Sequence, residues 1–211
     1  MIPEGHQERL SGDARLELAA LCRRVIDELA SSTADSEAFL AAGELLRDAV
    51  GVLEAATHGR PYAGGEASMA GYQRNLFIDH SPFSGWLNPL APPMTLTSDG
   101  TEVVATVTFG AAYEGPPGHV HGGYVAAAFD EVLGFAQGLS GKPGMTAHLG
   151  IDYKSPTPLY LPLRFRGDIE RIDGRKIFTR GELRVATDDR LCATATGLFV
   201  SMRDDTFARL M

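Results

Sequence analysis

His119-Val120-His121-Gly122-Gly123-Tyr124-Val125-Ala126-Ala127-Ala128-Phe129-Asp130 is the stretch on which the reading of this chain turns. A glycine pair opens an apolar run with helical spacing, and a carboxylate sits two turns further in. The spacing predicts a helix over 122–139. At about 100° per residue, Val125, Ala128, Val132, Phe135, Ala136 and Leu139 share one apolar side. Asp130 points the other way, among Gly123, Ala126, Ala127, Gly134 and Gln137. A solvent face carries Lys, Glu and Arg; this small-residue face implies that backbone, a partner subunit or a ligand approaches it closely. Backbone donors at the helix start, with an acid on the same helix, are a means of holding and attacking a carbonyl. The plain alternative for Asp130 is a solvated mid-helix aspartate.

The segments on either side of this helix read as strands. Ser98-Asp99-Gly100 is a hairpin signal, followed by Val103, Ala105, Val107 and Phe109 alternating with Val104, Thr106 and Thr108. Beyond the helix, Leu149, Ile151 and Tyr153 alternate with His148, Gly150 and Asp152. Leu163, Phe165, Gly167 and Ile169 then alternate with Arg164, Arg166, Asp168 and Glu170. Asp173-Gly174 turns the chain into a strand over 178–185, and a last strand runs over 191–202. Short connections imply an antiparallel sheet, and one long helix on its face is an α+β arrangement.

Two amphipathic helices are expected before this unit. Leu18, Leu21, Cys22, Val25, Ile26 and Leu29 form one stripe, and Phe39, Ala42, Leu46, Ala49, Val50 and Leu53 form another. Thr33 or Asp35 is placed to cap the second helix, so the pair reads as a helical hairpin. Each stripe needs a cover, either the other helix or a partner. Between about 57 and 93, glycines and prolines break any long element, although Phe77, Phe83, Trp86 and Leu87 imply that part of the stretch lies against the core.

Composition narrows the function classes. The chain has 211 residues, 44% hydrophobic and 22% charged, as in a globular protein with one sizeable core. A formal charge of −8 argues against an electrostatic grip on nucleic acid or on an anionic membrane. No apolar run approaches the ~20 residues of a membrane span. The N-terminal residues carry neither the basic nor the apolar region of a signal peptide, so a cytoplasmic location is expected. Cys22 and Cys192 belong to no metal-ligand spacing and read as buried, reduced thiols. His119 and His121 lack a third ligand of suitable spacing, so no metal is expected.

With these residues set out, the segment from about 85 to 202 resembles the hotdog-fold acyl-CoA thioesterases, of the phenylacetate-pathway and thioesterase superfamily member 4 and 5 type. The resemblance rests on His121-Gly122-Gly123, Asp130 nine positions after the histidine, Met145-Thr146-Ala147 ahead of a strand, and the turn Tyr153-Lys154-Ser155-Pro156-Thr157-Pro158-Leu159. It implies a hotdog fold, a curved antiparallel sheet wrapped around one long central helix, here with an N-terminal helical extension. The organisation expected is a helical region over 1–60, an irregular linker over 61–93 and a hotdog thioesterase domain over 94–211.

The resemblance also implies roles. The backbone N–H of Gly122 or Gly123 polarises a thioester carbonyl, Asp130 activates water or attacks directly, Thr146 orients the water, and His121 holds the loop or bonds near the carbonyl. Gly123, Lys154, Ser155 and Pro156 bind the substrate; Lys154 is the best placed of Lys154, Arg175, Lys176 and Arg180 to meet the phosphates of CoA. On its own, Thr146 reads first as a plain strand-start hydroxyl. No cofactor is implied, and acyl-CoA is the expected partner of a homodimer or dimer of dimers in fatty acid metabolism, with active sites at the subunit interface. A hotdog hydratase would want a different His and acid arrangement. The rival class is a non-catalytic acyl-CoA-binding or assembly module.

Overall fold

A computed structural model describes residues 14–55, 79–92, 94–142 and 144–201. Helices α1 (Ala14–Ser31) and α2 (Ser36–Glu54) come first. Strands β1 (Thr95–Ser98) and β2 (Glu102–Val107), a 3-10 turn (Ala111–Tyr113) and the long helix α3 (Gly122–Gly138) follow. Strands β3 (Gly144–Tyr153), β4 (Leu163–Asp173), β5 (Lys176–Val185) and β6 (Leu191–Ser201) complete one six-stranded sheet, ordered β1-β2-β4-β5-β6-β3. Every pairing is antiparallel. The helix expected over 122–139 and all the strands expected around it are present.

The sheet wraps α3 and closes the core between them. Phe109, Phe129, Phe165, Phe199, Leu133, Leu163 and Ile177 are buried there, with Phe129 and Phe165 meeting edge to face at 5.0 Å. The helix can sit this low because glycines lie beneath it. A Cβ at Gly167, Gly181 or Gly197 would approach Leu133 to 3.1–3.2 Å, closer than ordinary contact. The buried face of α3 is also wider than helical spacing alone indicates. It includes Phe129, Leu133 and Gln137, while Phe135 and Leu139 are only partly covered. A curved sheet touches a helix over more than one stripe, so the face is rotated relative to the expected one.

A single irregularity in β3 sets the site. Its register with β6 shifts between Thr146 and His148, leaving Ala147 as the extra residue of a bulge. Strict alternation from Leu149, Ile151 and Tyr153 would put Thr146 on the outer face with His148. The bulge reverses that, and Thr146 pairs with Phe199 and faces α3.

The stretch 79–92 lies on the body, with Ser81, Ser84, Leu87 and Ala91 buried. Ser81 Oγ donates to Glu131 Oε1 at 2.6 Å, and Ser84 Oγ donates to the same oxygen. Helix α1 clamps this strap from outside, because Arg23 Nη1 donates to the carbonyls of Trp86 and Asn88, both at 3.1 Å. Burial lowers the pKa of Arg23 from its ordinary value. Asp35 caps α2, its Oδ1 accepting from the Ala38 N–H at 2.9 Å. Cys192 is buried as expected, whereas Cys22 is only partly covered. Phe77 lies outside the described residues.

Candidate active site

Asp130 and Thr146 come from α3 and β3, sixteen residues apart. The Thr146 hydroxyl donates to Asp130 Oδ1 at 2.9 Å, which leaves Oδ2 open. Asp130 is half-buried and Thr146 exposed, so the pair opens on the side of the sheet bounded by edge strand β3. The bulge is the local cause of this meeting.

The second group lies at the start of the same helix. His121 is the N-cap of α3, and its Nδ1 accepts from the Gly123 N–H at 3.0 Å. An acceptor at Nδ1 carries the neutral ring's proton on Nε2, where it serves as a donor. With the Gly123 N–H engaged, the Gly122 N–H is the donor left at the positive end of the helix; among the described residues nothing accepts it. Tyr153, from the end of β3, donates to the Gly122 carbonyl at 2.7 Å and lies against the glycine that has no Cβ to exclude it.

The loop before α3 is stapled to the turn after β3. The Val120 N–H donates to Thr157 O at 2.8 Å, and the Leu159 N–H donates to Gly118 O at 3.1 Å. Thus His121-Gly122-Gly123 and the Tyr153–Leu159 turn are brought together, although thirty residues separate them. Lys154 is exposed, with Nζ 3.6 Å from Asp152 Oδ2. Ser155 Oγ donates to Leu191 O at 2.8 Å, and Arg190 Nη1 donates to Ser155 Oγ at 3.2 Å and to Pro156 O at 3.0 Å. Arg190 therefore supplies a cation at this turn that sequence spacing did not single out. Arg180 instead pairs with Asp168, and Arg175 Nε donates to Ser201 O.

Tyr124, Tyr113, Phe83 and Phe109 stack beside the helix start. Tyr113 meets Tyr124 edge to face at 4.9 Å, and Phe83 lies 6.5 Å from Tyr124. Burial, helped by Tyr124, pushes the Tyr113 hydroxyl up to about 12. These contacts span too much sequence for periodicity to reveal them. His119 Nδ1 is 2.8 Å from Pro117 O, and no group of three or more His, Cys, Asp or Glu among the described residues is placed to hold a metal.

The two groups do not meet within one chain. Eight residues separate Gly122 from Asp130, which is about 12 Å of helix rise. A carbonyl held at the Gly122 N–H is out of reach of its own chain's Asp130.

Fold and site together define a hotdog protein, with a helix-start donor and an acid–hydroxyl pair at opposite ends of one face. The thioesterase superfamily model matches residues 117–193. A crystal structure of a thioesterase superfamily protein is 39% identical, with a TM-score of 0.73 over 90% of this chain and 92% of that one. The chain belongs to the thioesterase superfamily. It is 39% identical over 89 residues to acyl-coenzyme A thioesterase THEM4 of Xenopus laevis, covering 42% of this chain and 40% of that one. It is 34% identical over 106 residues to THEM4 of Rattus norvegicus, covering 49% and 44%. The match therefore spans less than half the length of these relatives. No described helix is long and apolar enough to cross a membrane.

Proposed function

We propose that this protein hydrolyses acyl-CoA thioesters, releasing a free acid and CoA, at sites shared between the two subunits of a homodimer. The Asp130–Thr146 pair at 2.9 Å is the observation that carries the reading. It holds a carboxylate oxygen free beside a hydroxyl oxygen that can still accept. A water donating one proton to Asp130 Oδ2 and the other to Thr146 Oγ1 keeps a lone pair for the thioester carbon. Asp130 takes the water's proton as the C–O bond forms, and the tetrahedral oxyanion rests on the Gly122 N–H. Collapse breaks the C–S bond, and the proton returns from Asp130 to the departing CoA sulfur.

The ~12 Å between Gly122 and Asp130 supports a site completed by a second chain, since the carbonyl needs both groups at once. Edge strand β3 presents ten residues of open backbone for pairing with a copy of itself, and Asp130 and Thr146 lie beside it. Pairing there brings the helix start of one subunit toward the acid of the other. Lys154 and Arg190 sit on the helix-start side of the site and are assigned to the phosphates of CoA. The relatives named acyl-coenzyme A thioesterase support the substrate class. The same reading takes the enzyme as cytoplasmic and its reaction as part of fatty acid metabolism.

The test is CoA release, followed with a thiol reagent, across short, long and aromatic acyl-CoAs. Turnover of at least one class is expected. Tight acyl-CoA binding with no turnover on any member would sink the enzyme and leave a binding module. A single turnover in ¹⁸O water tests Asp130 as nucleophile: a base leaves Asp130 unlabelled and passes the label to the acid product. Label appearing in Asp130 would show that it is the nucleophile.

A further inference from the structure

Helix α1 docks the wrong way round for a helix in water. Ala19, Arg23 and Asp27, spaced four apart, face the body: Ala19 is buried, Arg23 holds the strap, and Asp27 Oδ1 accepts from the Ala112 N–H at 3.4 Å. The apolar stripe of Leu18, Val25 and Leu29 lies about 140° around the helix from that contact. Those three side chains are 38%, 39% and 65% exposed. No residue of helix α2 is buried, so the two helices close no core of their own. The stripe of α2 is open too, with Phe39, Leu46, Val50 and Leu53 between 40% and 51% exposed. Two amphipathic helices, one of them anchored by its polar side, each leave an open apolar stripe.

The pattern of residues identifies the cover. On α1 the stripe recurs at Leu18, Cys22, Val25 and Leu29, and on α2 at Phe39, Ala42, Leu46, Ala49 and Leu53. Both follow the alternating three–four spacing that packs helix against helix. On α2 the positions flanking this seam are Ala38, Gly43, Leu45, Val50 and Val52. The charges Glu37, Glu44, Arg47, Asp48 and Glu54 lie on the far side. An acidic helix can therefore meet an identical copy of itself without bringing like charges together. The same acidity, with a chain charge of −8, disfavours an anionic lipid surface. Two copies bring four helices of 18 and 19 residues with matching spacing, as a closed bundle requires.

We propose that α1 and α2 form an association surface on which a second copy of this chain docks its own α1 and α2, closing a four-helix bundle. This surface is separate from the β3 edge and does not depend on the thioesterase reading. The test compares the full-length wild type with Leu46→Glu/Leu53→Glu and Leu46→Lys/Leu53→Lys by sedimentation equilibrium. All these side chains are exposed within one chain, so far-UV circular dichroism should be unchanged. Charges buried unpaired in the bundle should weaken its association at least ~100-fold in either variant. Mixing the Glu and Lys variants should restore the wild-type mass, which a membrane or a foreign partner would not do. The proposal is overturned if the variants associate as tightly as wild type, or if mixing restores nothing. A wild type that stays monomeric would overturn it as well.

Discussion

Replacing Asp130 and Thr146 singly and together examines the proposed chemistry at its most exposed point. Asp130→Asn keeps the shape of the side chain but removes the base, and a positioned base contributes about 10²–10⁴ in rate. Thr146→Val removes one hydrogen bond of 2.9 Å to a carboxylate. Bonds to charged groups are worth about 1.5–3 kcal/mol, so kcat should fall by roughly 10–150-fold. Thr146 acts only by orienting what Asp130 activates, hence the double variant should be no slower than Asp130→Asn by more than ~3-fold. The assay is steady-state CoA release on the best acyl-CoA of the panel, with urea midpoints measured alongside. Asp130 is only half-buried and Thr146 exposed, so those midpoints should barely move. The reasoning is refuted if Asp130→Asn keeps more than about a tenth of wild-type kcat, or if the two single losses multiply.

Three further outcomes follow from the geometry. Asp99 accepts from the Thr101 hydroxyl and from the N–H groups of Thr101 and Glu102 in the β1–β2 turn, which holds its carboxyl at about 2 instead of 3.8. A pKa lowered by folding stabilises the fold above the ordinary value; the advantage of wild type over Asp99→Asn in urea midpoint should shrink as pH falls from about 4 toward 2, and a pH-independent difference would contradict this. Gly197→Ala puts a Cβ 2.5 Å from Thr179 Oγ1 and 2.9 Å from Phe199 Cε2, so it should cost about 1–3 kcal/mol and lower Tm by several degrees; an unchanged Tm would show that the sheet yields there. Arg23→Ala frees the carbonyls of Trp86 and Asn88, and hydrogen exchange at the Leu87 and Ala91 amides should quicken about tenfold, a change that would not occur if α1 were a passive cover.

Much of this architecture is legible in the sequence because it is local. The alternation of Leu163, Phe165 and Gly167 with Arg164, Arg166 and Asp168 reports one buried and one open sheet face, and the structure pairs them so. The glycine pair and the apolar run after it fix α3 to within a residue of its observed end. Asp35 announces the start of α2 through the bond that its side chain makes. By contrast, helical spacing alone does not place Phe129, Leu133 and Gln137 on the buried face of α3, because a periodic stripe assumes a flat neighbour and the sheet is curved.

What the chain determined by itself, then, is the order of strands and helix, the helix-start glycines, and the presence of an acid among small residues. These are properties of spacing, and spacing is written in the sequence. Only the tertiary structure decided that Thr146 faces Asp130, because the bulge at Ala147 reverses the alternation set by Leu149, Ile151 and Tyr153. It alone shows that α1 grips the strap through Arg23 and Asp27 and turns Leu18, Val25 and Leu29 outward. Bulges, docking orientation and distances across a fold arise from contacts between residues remote in sequence, and a periodic pattern along one segment carries no record of them.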